Sequence, residues 1–179
     1  MGKKKKAKKK GYQAAVIVKE SCYNEYTRMI QTYDKIYEKV NVSLAFCGGL
    51  LLVIIQEFDF TKILKLKTVE NNKEAIVYII YGLASICSIV FIFYTVIGLL
   101  RLLKGREIIT FDSISARDNQ LYVESEQDAA VWLIDKYTKS VQSLQDVIQE
   151  KQAQYDETIC KAIISLSAFA VASIMKKGI

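Results

Sequence analysis

The sequence predicts an all-α integral membrane protein: a two-span antiparallel hairpin, long amphipathic cytoplasmic helices and a third, C-terminal apolar helix. Three observations lead there. Ala75–Leu100 runs 26 residues without a charge, about 39 Å of helix against a hydrocarbon core of about 30 Å. On both sides of that run, apolar and aromatic residues recur at steps of three and four, the period of a helix. The 179 residues include no proline, so nothing compels a helix to break. The alternative for so long an apolar run is the central helix of a soluble bundle, and a chain this small rarely buries a helix that is apolar all round.

Residues 1–11 read as a disordered polybasic tail. Lys3, Lys4, Lys5, Lys6, Lys8, Lys9 and Lys10 stand in KKKKAKKK, and a block of like charge repels itself. The formal net charge is +6, but outside the tail 18 basic residues face 19 acidic ones. The basicity therefore belongs to the tail. Anionic lipid headgroups attract such a block by about 1 kcal/mol per lysine, which makes these seven lysines the expected anionic-lipid contact. Nucleic acid is the other polyanion that would suit them. No aromatic residue lies among the lysines to stack on bases, so nucleic acid is not the expected partner. No apolar core follows directly to make a secretory signal, and Lys6 stands where a myristoylation signal needs Ser or Thr.

Residues 12–40 read as an amphipathic cytoplasmic helix. Tyr23, Tyr26, Ile30, Tyr33, Tyr37 and Val40 recur at heptad spacing and share one stripe. Glu25, Arg28, Asp34, Lys35, Glu38 and Lys39 lie between them as a solvated face. A tyrosine buries its ring while its hydroxyl stays wet, so the stripe reads as a helix–helix seam or a partner-binding surface.

Residues 41–104 read as the transmembrane hairpin. Val42–Ile55 holds 14 uncharged residues, about 21 Å, and reaches spanning length when extended from Val40 to Phe58. Gln56 and Glu57 then sit at the far interface, where polar groups cost least. Gly48-Gly49 permits close approach of another helix. Asn71-Asn72 marks a turn in the connection, and Ala75–Leu100 returns. Arg101, Lys104 and Arg106 close the second span. Positive charge before the first span and after the second places the N-terminus in the cytoplasm.

Residues 105–125 read as a loop, with a short hairpin or a helical turn as the candidate structure. The "EIITF" stretch is β-branched, but one short strand cannot make a sheet. Residues 126–157 return to a cytoplasmic helix. Leu133, Tyr137, Val141, Leu144 and Ile148 form its seam, and the same steps continue to Lys151 and Tyr155. Residues 158–179 make the C-terminal membrane or interfacial helix. Ile159–Met175 is apolar except for Lys161, with small residues at Ala162, Ser165, Ala168, Ala172 and Ser173. Its charge-free part is short for a span, and Lys176-Lys177 would end outside, against the positive-inside bias.

Little in the chain points to catalysis. Histidine is absent, which removes the commonest general base and metal ligand. Cys22, Cys47, Cys87 and Cys160 show neither a metal-binding nor a disulfide spacing. The glycines do not form a phosphate loop. No ionisable side chain stands clearly at the depth of a span's centre, so an ion pathway is not indicated. The expectation is a non-enzyme without cofactor or metal.

The stretch Leu133–Ala170, LIDKYTKSVQSLQDVIQEKQAQYDETICKAIISLSAFA, sits in a suggestive order of parts: a basic N-terminal helix, a two-span hairpin, a charged helix and a last apolar segment. This order resembles the small membrane effectors encoded beside nucleotide second-messenger synthases in bacterial anti-phage operons, the Pycsar-type and SLATT-type families. Tyr137, Val141, Gln145, Ile148 and Lys151 fall where that family places a tyrosine, apolar steps, a polar residue and a base. Gln145 stands in place of an asparagine, and "LLKGREI" replaces a proline-containing turn. The resemblance implies an oligomeric protein of the bacterial inner membrane that perturbs the bilayer on a cytoplasmic signal. Its implied partners are the lipid bilayer, further copies of itself, and a cytoplasmic protein or nucleotide signal. A non-enzymatic accessory or scaffold subunit that docks a cytoplasmic partner, and a holin-like toxin, are the other readings the same residues allow.

Overall fold

The computed structural model describes residues 14–59, 61 and 72–177. The seven-lysine tail and most of the connection between the first two long helices lie outside them. Within the described residues every regular element is helical: α1 (Ala15–Glu57), α2 (Asn72–Leu102), the short α3 (Ser113–Asp118), a 3-10 turn (Leu121–Val123) and α4 (Glu126–Lys177). Three of these, α1, α2 and α4, are long and apolar enough to cross a membrane.

The ends of the helices follow local chemistry. Asp112 caps α3, its Oδ1 accepting from the Ile114 N–H at 2.9 Å. Ser125 caps α4: its Oγ accepts from the Asp128 N–H at 3.2 Å and donates to Asp128 Oδ2 at 2.7 Å, a relative of the capping box. Glu126 and Asp128 also place negative charge on the first turn of α4, where the helix dipole favours it. No proline interrupts α1 or α4, and nothing in the backbone marks residues 40 and 157; each helix runs unbroken through them.

Residues 105–125 contain no strand. The "EIITF" stretch is irregular and forms no ladder, and the helical-turn alternative is the one realised, as α3 and the 3-10 turn. Its N–H groups turn to side chains instead of a ladder: Ile109 donates to Ser143 Oγ at 3.2 Å and Phe111 to the Tyr26 hydroxyl at 3.4 Å. Gln120 sits in the left-handed region at φ 52°, reversing the chain between α3 and the 3-10 turn.

The chain divides into two compact units. One comprises the residues up to Asp34 with Arg106–Ile148; the other comprises Lys35–Gly105 with Gln149–Ile179. In the first, the start of α1 and the start of α4 share an aromatic centre. In the second, α2 and α4 run in opposite directions, because Ser88 meets Ser165 and Leu102 meets Lys151. There α1 and α4 run in the same direction: Tyr37 meets Lys151, Ser43 meets Tyr155 and Glu57 meets Lys176.

Candidate functional site: a polar seam between apolar helices

In the second unit, burial is inverted relative to a protein folded in water. Phe46, Leu83 and Ile174 are 65%, 65% and 67% exposed, while Ser88, Thr95 and Ser165 are each 0% exposed. A soluble core hides Leu, Ile and Phe and leaves Ser and Thr outside. Here large apolar groups such as Phe46, Leu83 and Ile174 point away from the other helices, while Ile54, Ile92 and Leu99 pack inside beside the hydroxyls. The contact face of α2 is Tyr81, Ser85, Ser88, Ile92, Thr95, Leu99 and Leu102, all buried. Those positions step by three and four, so a single stripe carries hydroxyls and aliphatic groups together.

The hydroxyls are satisfied. Ser88 Oγ donates to the Ser165 carbonyl at 3.0 Å, and Ser165 Oγ donates to the Ser88 carbonyl at 2.8 Å. This reciprocal pair ties each helix to the backbone of the other. Thr95 and Thr158 instead donate back along their own helices, to the Phe91 and Gln154 carbonyls. At Gly98 the helices come close: a Cβ there would stand 2.9 Å from both Cγ2 and Oγ1 of Thr158. Only the absence of a side chain allows that approach.

Two lysines of α4 finish the ends of the neighbouring helices. Lys151 is 4% exposed. Its Nζ donates to the Leu102 carbonyl at 2.6 Å, the Lys104 carbonyl at 3.2 Å and the Tyr37 hydroxyl at 3.0 Å, and lies 4.5 Å from the Tyr37 ring centre. It satisfies carbonyls that the end of α2 leaves without intrahelical partners. Lys176 does the same for α1, donating to the Glu57 carbonyl at 2.9 Å and to the Glu57 carboxylate at 2.6 Å. The last turn of α1 holds no basic residue of its own, so the cation that complements its dipole comes from α4. Lys161, the one charge inside the C-terminal apolar segment, pairs with Glu157 at 2.7 Å.

In the first unit, Tyr137 is the centre. Its ring centroid lies 5.7 Å from that of Tyr23, 5.5 Å from Tyr26 and 5.3 Å from Phe111. Burial pushes the Tyr137 phenol up from its ordinary value, and the neighbouring Tyr23 and Tyr26 hydroxyls act in the same direction.

The other seam residues fall as follows. Val141, Leu144 and Ile148 are buried; Ile30, Tyr33, Tyr37 and Leu133 are half-buried; Tyr23 is half-exposed although its ring rests on Tyr137. Ile36, Ser140 and Val147 are buried as well and lie off the stripe read from the sequence. Lys3, Lys4, Lys5, Lys6, Lys8, Lys9 and Lys10 lie outside the described residues. Sequence reasoning also missed Ser88, Gly98 and Phe111. Alternating small and large residues on α2 carried the signal for the first two, but Phe111 had none, because its role depends on where an irregular segment lands. The four cysteines are free, with Cys47 buried and Cys87 and Cys160 exposed. Comparison with protein-family models, with curated proteins and with solved structures gives no match.

Proposed function

We propose that this chain is a three-pass, non-enzymatic protein of the bacterial inner membrane, an effector of anti-phage defence that oligomerises and perturbs the bilayer on a cytoplasmic signal. The inverted burial of the second unit carries the membrane part of this reading. Large apolar side chains turned outward cost nothing in lipid, whereas in water they would drive aggregation. The opposite directions of α2 and α4, and the shared direction of α1 and α4, support a hairpin of α1 and α2 with α4 returning beside them. The N-terminus then lies in the cytoplasm and the C-terminus outside. The Glu57–Lys176 pair supports the ends of α1 and α4 lying together at one interface.

The effector part rests on how the helices are joined, together with the resemblance in the order of parts. The seam mixes buried apolar groups such as Ile54, Ile92 and Leu99 with hydroxyl bonds and two lysine caps. Interhelical hydrogen bonds in membranes average about 0.6 kcal/mol. A bundle so held can exchange its internal contacts for contacts with further copies when a signal binds one packing better than the other. Expression in a bacterium carrying a potential-sensitive dye tests this. The expected result is loss of membrane potential once the chain is abundant or its signal is supplied. Full potential at growth-arresting expression would overturn the effector reading, and a chain that stays monodisperse without detergent and ignores liposomes would overturn the membrane reading.

A further inference from the structure

In the second unit, α1 carries two stripes. Val40, Cys47 and Ile54 are buried. Val42, Ala45, Gly49, Leu52 and Gln56 are exposed and step by three and four, a heptad register of their own. At about 3.6 residues per turn the two stripes lie on opposite sides of α1, so the second turns away from the seam. Ala45 and Gly49 stand four apart, the spacing of small residues that lets two helix backbones approach in a membrane. Val42 and Leu52, 71% and 63% exposed, rise on either side and leave a hollow between them. The chain does not fill it: a Cβ at Gly49 meets nothing within 4 Å, whereas one at Gly98 meets Thr158. Glycine inside a helix is costly beside alanine, and at Gly49 no described contact of the chain offsets that cost.

Towards the N-terminus the same stripe continues through Glu38 and Lys35, with Lys39 beside it, all exposed. Helical spacing puts Glu38 on one flank of the stripe and Lys35 and Lys39 on the other. Copies inserted with the same topology present their α1 helices in parallel. A two-fold axis between parallel helices sets the flank of one against the opposite flank of the other. Glu38 of each copy then faces Lys35 and Lys39 of its neighbour, an opposite-charge match made twice. At the other end, Gln56 meets its own counterpart, and such side chains hydrogen-bond across helices. Lipid requires neither the sorted charges nor the hollow; a second copy uses both.

We infer that the outward face of α1 is a self-association seam on which a second copy of this chain docks in parallel, backbone close to backbone at Gly49 and Glu38 set against Lys35 and Lys39. Such a face is isologous and closes at two copies. The inference names the surface for the proposed oligomer and rests on the membrane reading alone.

Energy transfer between full chains labelled at the N-terminus, reconstituted in lipid vesicles over a range of protein-to-lipid ratios, tests it. The expected result is transfer that falls on dilution as a single dissociating pair. Gly49→Leu weakens pairing by about tenfold or more at unchanged helicity, and Leu83→Ala, on the outward face of α2, leaves it unchanged. E38K alone and K35E with K39E each pair weakly with themselves; mixed with one another they pair at least about tenfold more tightly. Transfer no greater than random proximity at every ratio would mean that lipid covers the face and would overturn the inference. So would unchanged pairing in Gly49→Leu, or charge variants that mix no better than they self-pair. Membrane potential is measured separately, so depolarisation without pairing removes this seam alone, and pairing without depolarisation removes the effector reading alone.

Discussion

Gly98 and Tyr137 show two ways in which one residue sets local energetics. At Gly98 the constraint is steric. Thr158 is short, β-branched and hydrogen-bonded to its own helix, so it cannot swing clear of a new methyl group. Gly98→Ala is expected to destabilise the bundle by about 1–3 kcal/mol, measured by unfolding in detergent. Thr158→Ala removes both atoms that stand at 2.9 Å and leaves the Cβ at 3.6 Å, an ordinary contact. The double substitution should therefore recover much of the loss; strict additivity would show that the clash is not there. At Tyr137 the constraint is electrostatic. The folded chain holds the phenol proton more tightly than the unfolded chain does. The stabilisation is complete below the ordinary phenol value of about 10 and is lost as pH rises through the raised folded value. Stability of the first unit should hold level to about pH 9 and fall above it, more steeply than in Tyr137→Phe. An identical slope in that variant would refute the assignment.

Among the long helices, α4 is the organiser. It supplies Ser165 and Thr158 to the seam, Lys151 to the end of α2 and Lys176 to the end of α1. Its own start is fixed by the Ser125 cap, whose removal costs about 1 kcal/mol. The Ser88–Ser165 pair is the direct measure of how firmly α2 and α4 are joined. Each hydroxyl donates to the backbone carbonyl of the other helix, so S88A and S165A each remove one bond. Each should cost about 0.6 kcal/mol, and no more than about 1.7, the range of such bonds in membranes, with losses that add. No loss in either variant would mean that the hydroxyls bond within their own helices.

The whole molecule combines a bonded seam and an aromatic centre, each local to its own unit. Topology is the property that belongs to the entire chain. Reporter fusions at the two termini should report opposite sides of the membrane. Lys176→Gln with Lys177→Gln removes the basic residues from the far end of α4 and should raise the fraction of chains whose C-terminus crosses. Both termini reporting the same side in the unsubstituted chain would show that α4 does not cross.

The sequence by itself determined that this chain is helical and that two stretches are apolar enough to span, with the C-terminal one left between a span and an interfacial helix. Periodicity, charge-free length and the lack of proline act over neighbouring residues, so they are legible without a fold. The stripe of Tyr137, Val141, Leu144 and Ile148 marked the inward face of α4 in advance, but tertiary structure decided which face of α2 turns inward. On α2 the apolar residues surround the helix, so no polar face stands opposite an apolar one to mark the buried side. Ser88 is inside because Ser165 of α4 sits opposite, and Gly98, on α2 itself, leaves room for Thr158 of α4. Lys151 reads in the sequence as a charged step on an otherwise apolar stripe. It becomes a helix cap only because the end of α2, 49 residues earlier in the chain, presents its carbonyls there, a pairing that depends on how separate helices meet and on no local pattern.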